Sequence, residues 1–262
     1  MSRIRAAAGL IVFALSTLAA SIALSEGEVS SPPVGEPSVA PSPRTLIDNN
    51  KVHASLVTLS AGSLRPEHLD HRGDQIRVYL DDSASHARGS VEWLPRAADG
   101  AMRVTTAHRE LYIELKHGTM SAADPEAMKL PPEPAAGGGA PTQVLLDNDQ
   151  VRATLIAYPQ DFIRPGGFRR RFDTLIVYID DAQLELPGPA QRQYSVIRSL
   201  NHPDAIAVCD PIKDCDSVGP DGKWVNGSTL VTGTVAWHPK DGFVNKLRIA
   251  HAYRALYIEL KQ

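Results

Sequence analysis

The stretch RALYIELKQ (residues 254–262) has an earlier twin, RELYIELKH (residues 109–117). In the later copy Leu256, Ile258 and Leu260 alternate with Tyr257, Glu259 and Lys261. A period of two marks a strand with one apolar face. Working outward, the segments before each copy match as well. TLIDNNKVHASLVTL begins at Thr45 and VLLDNDQVRATLIAY at Val144, sharing Asp48-Asn49 and Asp147-Asn148. An Arg-Pro pair follows in each (Arg65-Pro66, Arg164-Pro165), then QIRVYLDD (75–82) or TLIVYIDD (174–181), then GSVEWLP (89–95) or GTVAWHP (233–239). Agreement of these segments in one order indicates an internal repeat. In QIRVYLDD, Ile76, Val78 and Leu80 share one face and Arg77, Tyr79 and Asp81 the other. Gly, Pro, Asn and Asp clusters separate the strands and no long helical period intervenes. Short alternating strands in this number close most economically as a double-sheet jelly roll or barrel.

The spacing predicts an export signal over 1–25, with Arg3 and Arg5 before an apolar run and small residues around Ala23 and Ser25. The run is near the lower limit for spanning a bilayer, so an uncleaved anchor is the alternative. A Pro/Ser-rich tether is expected over 26–44, a first barrel over 45–120, a linker over 121–143, and a second barrel over 144–262. The second barrel carries a long insertion at 182–232, where the first has only residues 83–88. The expected location is periplasmic or extracellular, with no membrane contact beyond the signal segment. In such an oxidising compartment Cys209 and Cys215 of CDPIKDC are expected to pair. A two-thiol metal site is the alternative, but further ligands at suitable spacing are not evident. Net charge is −3 and the sequence pI about 6.3, which builds no field for a phosphate backbone, so nucleic acid is not an expected partner.

The order DN-x-x-V, V-Y-[LI]-D-D, G-x-V-x-W-x-P and terminal Y-I-E-L-K resembles the cupin superfamily, and more closely its small bacterial members. The likeness covers residues 45–116 and 144–261. The fold it implies is all-β, two cupin-type jelly-roll barrels in tandem, a bicupin. Members of that family pair commonly, so a fused pair is expected as a monomer or a homodimer. Its activities range from dioxygenases and isomerases to sugar-binding regulators and storage proteins.

Metal-dependent cupins converge His and carboxylate side chains on one divalent metal and leave positions open for substrate. The resemblance implies such a set in the first copy, PEHLDHRGDQ: His68 matches the first His, Asp70 falls where the second His belongs, His71 is one place late, and Asp74 lies near the family's Glu. Iron, manganese, nickel or zinc would suit it. The second-motif stretch WLPRAADGAMRV carries no His, while His86 and His108 lie off the family's positions. In the second copy, PGGFRRRFDT puts Gly167 opposite His68 and Arg169 opposite Asp70, and neither His238 nor His251 falls at a family ligand position.

Three arginines replace the ligands there. Alternation in FRRRF sets Phe168, Arg170 and Phe172 on one face and Arg169 and Arg171 on the other. Guanidinium groups at the barrel mouth would hold a carboxylate or phosphate bidentately. An exposed basic edge strand that resists aggregation is the competing account. The insertion is expected to act as a lid or to join the halves. Its DCDSVGPDGKW segment resembles a calcium loop only faintly: Asp214, Asp216 and Asp221 supply oxygens, but Val218 does not and no closing Glu follows. Neither a phosphate-cradling Gly loop nor a Ser nucleophile motif stands out.

Three functions are open on these grounds. The favoured one is an exported bicupin that binds a small polar or anionic ligand without a fully intact metal site. A metal-dependent oxygenase or isomerase with its site in the first barrel is the second, and a purely structural pair of barrels the third.

Overall fold

Asparagine builds the first turn of each repeat. Asn49 Oδ1 accepts from the backbone N–H groups of Lys51 and Val52, both at 2.8 Å, and Asn148 Oδ1 accepts from those of Gln150 and Val151, both at 2.9 Å. This side-chain mimic of a backbone turn is why the Asp-Asn pair opens both copies. The computed structural model describes residues 43–65, 73–96, 103–116, 139–166, 168–185, 217–221, 224–225, 229–240, 243–244 and 246–261. All of these fall in the unit Ser38–Gln262. Residues 43–116 are called the first half below and 139–261 the second.

In the first half, β1 (Arg44–Asp48), β2 (Val52–Leu59), β3 (Gln75–Tyr79), β4 (Val91–Leu94) and β5 (His108–Leu115) form an antiparallel sheet in the order β1-β2-β5-β3-β4. The second half contains β6 (Thr142–Asp147), β7 (Val151–Tyr158), β8 (Ile163–Arg164), β9 (Phe168–Arg169), β10 (Asp173–Tyr178), β11 (Ala182–Glu185), β12 (Ser217–Val218), β13 (Trp224–Val225), β14 (Thr229–Leu230), β15 (Val235–His238), β16 (Phe243–Val244), β17 (Leu247–Ile249) and β18 (Tyr253–Leu260). Its main sheet runs β13-β12-β15-β10-β18-β7-β6. The five strands from β15 to β6 repeat the first sheet's order.

The register repeats too. Val52 faces Leu115 and Val151 faces Leu260; Ile76 faces Trp93 and Leu175 faces Trp237. Even the bulge recurs, between Thr45 and Ile47 and between Val144 and Leu146. A one-residue slip would turn every side chain to the wrong face, so matched register carries matched burial. A second, smaller sheet in the second half runs β14-β11-β17-β8, and β9 pairs with β16.

Each ELK strand therefore has two buried faces. Leu111, Ile113 and Leu115 of β5 share one apolar core with Leu256, Ile258 and Leu260 of β18, together with Ile76, Val78, Leu175, Val177 and Trp237. The halves thus cover one another. Their contacts are reciprocal, as in an isologous interface. Gln150 Nε2 donates to Asp74 Oδ2 at 2.8 Å, and the equivalent pair Lys51 Nζ and Asp173 Oδ2 stand 3.9 Å apart. Gly89 lies against Ile179, and Gly233 against Leu80. Both glycines have positive φ (90° and 87°), which an L side chain adopts poorly.

Of the insertion, β11 and β14 join the smaller sheet while β12 and β13 extend the main sheet beyond β15. Arg44 Nη1 of the first half donates to the Pro220 carbonyl at 2.7 Å, so this part of the insertion helps join the halves. Cys209, Cys215, Asp214 and Asp216 lie outside the described residues, as do the proposed signal and tether.

Candidate functional site

The faces of β5 and β18 turned away from the shared core line the interior of each half. There the repeats diverge in chemistry while keeping geometry. In the first half, Leu64 is 55% exposed and Arg65 only 7%; in the second, Ile163 is 41% exposed while Arg164 turns inward, half-buried. Placing an arginine inside and its aliphatic neighbour outside inverts the ordinary pattern, and buried polar groups are the informative ones.

Arg65 meets Glu110, which has no exposed surface. Arg65 Nη2 donates to Glu110 Oε1 at 2.7 Å, Tyr112 Oη donates to Oε2 at 2.6 Å, and His108 Nε2 lies 2.7 Å from Oε1. Arg77 Nε is 3.6 Å from Oε2, and Arg77 also donates to Glu92 at 3.0 Å, as Tyr79 does at 3.1 Å. His86 stacks on Tyr79 at 4.0 Å between ring centres. Burial acts against the Glu110 charge, yet the hydrogen bonds from Tyr112 and His108 and the Arg65 and Arg77 guanidiniums outweigh it and hold this carboxyl below its usual range. The first interior thus pairs the Arg65 and Arg77 guanidiniums with the Glu110 and Glu92 carboxylates. His108 belongs to it through Thr106 O and Glu110, which accounts for a histidine that matches no family ligand position.

The second interior replaces this network. Equivalent strand positions exchange Glu110 for Ala255, Glu92 for Ala236, Arg77 for Ile176 and His108 for Tyr253. Tyr158, Tyr178, Tyr253 and Tyr257 pack there with Ile156, Ile176 and Leu184. Tyr158 Oη donates to Tyr257 Oη at 2.9 Å, and Arg164 Nη1 approaches Tyr257 Oη at 3.4 Å. Tyr253 packs against Tyr158 and Tyr178 at 5.0 and 5.8 Å. Burial pushes the Tyr158 and Tyr253 phenols well up, so they keep their hydrogens. Burial also opposes the Arg164 charge, but the surrounding phenol groups, Tyr257 foremost, favour it and the net displacement is upward.

Arg170 is 5% exposed and belongs to the same region. His238 is pushed well below the ordinary histidine value by burial first, then by the Arg170 and Arg164 guanidiniums, which favours its neutral form. The three arginines singled out in sequence part company here. Arg170 is buried, Arg171 half-buried, and the side chain of Arg169 lies outside the described residues. Arg164, noted in sequence only as part of an Arg-Pro pair, is the one that reaches the phenols. Its only sequence signal was recurrence before Pro in both copies.

Of the implied metal set, only Asp74 falls among the described residues. His68, Asp70 and His71 lie outside the described residues. The Asp74 carboxylate accepts from Arg96 N at 3.0 Å and from Gln150 Nε2 at 2.8 Å, at the junction of the halves. No group of three or more His, Cys, Asp or Glu that could hold a metal occurs among the described residues. In the second half, the Arg164 and Arg170 guanidiniums oppose a cation at His238.

The paired aspartates of V-Y-[LI]-D-D serve structure. Asp81 accepts from Arg109 Nε and Nη2 at 2.8 and 2.6 Å, and Asp180 from Arg254 Nε and Nη2 at 2.8 and 3.0 Å. These forks tie the end of one strand to the start of another and hold both carboxyls below their usual range.

No protein-family model and no curated protein matches the chain. Among solved structures, it is similar to a cupin 2 conserved barrel domain protein from Leptotrichia buccalis, at 12% identity and a TM-score of 0.44 over 87% of this chain and 92% of that one. It is similar to AerE from Microcystis aeruginosa at 10% identity and a TM-score of 0.45, over 85% of this chain and 98% of that one. A variant of salicylate 1,2-dioxygenase from Pseudoaminobacter salicylatoxidans, in complex with gentisate, aligns at 11% identity and a TM-score of 0.48 over 87% of this chain and 76% of that one. With identities of 10–12% and TM-scores below 0.5, the chemistry rests on this chain's own residues.

Proposed function

We propose that the chain is an exported bicupin, two cupin-type jelly-roll barrels in tandem, whose second barrel binds a small anionic ligand in its interior. The repeated strand order, register and bulge support the tandem reading, and the cupin-like motifs support the family. The observation that carries the function is the inward Arg164, its Nη1 3.4 Å from Tyr257 Oη, with buried Arg170 in the same half, among phenols that retain their hydrogens. Two guanidiniums with hydroxyl donors in a dry setting recognise an anion far more strongly than they would in water. The first barrel acts as the covering partner, its own charges matched internally. Export and a Cys209–Cys215 bond belong to the same proposal, and a mass shift on reduction checks the bond.

Calorimetric titration of the metal-free protein with acetate, benzoate, sulfate and phosphate tests the function. At least one is expected to saturate a single site, with Arg170→Ala weakening it roughly ten- to a hundredfold, the range for a hydrogen bond to a charged group. Failure of all four to bind would sink the anion reading. Stoichiometric iron, manganese, nickel or zinc lost in His68→Ala would shift the function to the first barrel.

A further inference from the structure

RELYIELK (109–116) and RALYIELK (254–261) differ at one position, Glu110 against Ala255. Pairing makes the two equivalent: Glu110 stands opposite Val57 and Tyr79, and Ala255 opposite Ile156 and Tyr178. In the first half a guanidinium and a phenol, Arg65 and Tyr112, grip the Glu110 carboxylate at 2.7 and 2.6 Å. The second half repeats that guanidinium as Arg164 and that phenol as Tyr257, and offers a methyl group where the carboxylate stood.

We infer that the second interior takes a free carboxylate, its carboxyl group set between Arg164 and Tyr257 as the Glu110 carboxyl is set between Arg65 and Tyr112. This rests on the anion-binding reading above and names its ligand class. Hydrogen accounting agrees. Tyr158 and Tyr257 share one hydrogen bond, and Arg164 has only hydrogens to give, so one phenol hydrogen of the pair is left to donate inward. Access agrees as well, since Arg164 is half-buried where Arg65 is 7% exposed. Exchange of Glu110, Glu92 and Arg77 for Ala255, Ala236 and Ile176 removes side-chain atoms from this face and two carboxylates with them. The other carboxylate on this strand face, Glu259, stands opposite Arg152 and Thr174, four residues and so about 13 Å along the strand from Ala255. The buried neighbours Tyr158, Tyr178, Tyr253 and Ile156 are apolar and aromatic, which suits an apolar or aromatic body behind the carboxyl group. A planar carboxylate matches the guanidinium-and-phenol pair as the Glu110 carboxylate does in the first half.

Two measurements test it. Titration with benzoate, its neutral isostere benzamide, and phosphate is expected to show saturable binding of benzoate alone, with Tyr257→Phe weakening it about tenfold. Phosphate binding without benzoate would overturn the carboxylate class and leave the anion reading standing. Binding of benzamide equal to benzoate, or of none of the three, would overturn the carboxylate class, and the anion reading falls with it only if acetate and sulfate fail to bind as well. The second measurement needs no ligand. Thermal unfolding compares Ala255→Glu with Ala255→Gln, which add nearly the same volume. A carboxylate cradle makes the Glu variant melt higher than the Gln variant and unable to bind benzoate; a Glu variant that melts lower overturns the inference.

Discussion

Truncating Glu110 to alanine removes the centre of the first interior. The carboxylate is fully buried and accepts from Arg65 at 2.7 Å and Tyr112 at 2.6 Å, with His108 2.7 Å away. Breaking a buried ion pair from one side costs about 3–5 kcal/mol, because the remaining charge stays desolvated. Arg77 keeps Glu92 at 3.0 Å, which places the expected cost toward the lower end, about 3 kcal/mol. For a chain of this length that lowers the melting midpoint by roughly 6–12 °C. Urea unfolding followed by circular dichroism measures the difference, with Glu110→Gln beside it to separate charge from lost volume. The pH dependence has a definite sign. A carboxyl held below its usual range contributes stability above its unfolded value, near about 4.3, and loses it as pH falls through the folded value. The gap between wild type and Glu110→Ala is therefore full at neutral pH and closes in acid. A cost below about 1 kcal/mol at pH 7, or a gap that persists undiminished in acid, would refute the description of a charged and fully engaged Glu110.

Three further outcomes are expected. Leu256→Ala opens a cavity in the core shared by the halves and costs about 2–5 kcal/mol; both halves then unfold earlier in one calorimetric transition, whereas an unchanged first transition would mean independent cores. His238→Leu, which copies Leu94 of the first half, flattens the acid side of the stability profile. A histidine held neutral in the fold contributes above its unfolded value of about 6.5 and loses that contribution as pH falls, at up to about 1.4 kcal/mol per unit, so an unchanged slope in stability against pH would contradict the buried setting. Gly233→Ala costs about 1–2 kcal/mol, since φ is 87° and the added methyl would lie 3.2 Å from Leu80; a neutral melting shift would show that the turn relaxes freely.

Strand identity and the repeat were legible in the sequence because a period of two and a paired turn signal are local properties. The ELK alternation, the Asp-Asn turns and the conserved spacing of glycine before the Trp strand all reappear in the hydrogen bonding. What alternation cannot tell is what lies beyond each face. Leu256, Ile258 and Leu260 read as an apolar face in any sheet; only tertiary packing sets that face against the other half and leaves Tyr253, Ala255 and Tyr257 to line the interior. For the same reason the sequence singled out Arg170 through its neighbours in FRRRF and passed over Arg164. The distance from Arg164 to Tyr257 crosses 93 residues, and no local pattern encodes such a contact. The difference between Glu110 and Ala255 was visible in the two strands from the start. It acquired meaning only when the fold brought Arg65 and Tyr112 to one and Arg164 and Tyr257 to the region of the other, because a carboxylate's role is set by the donors that chain folding brings to it.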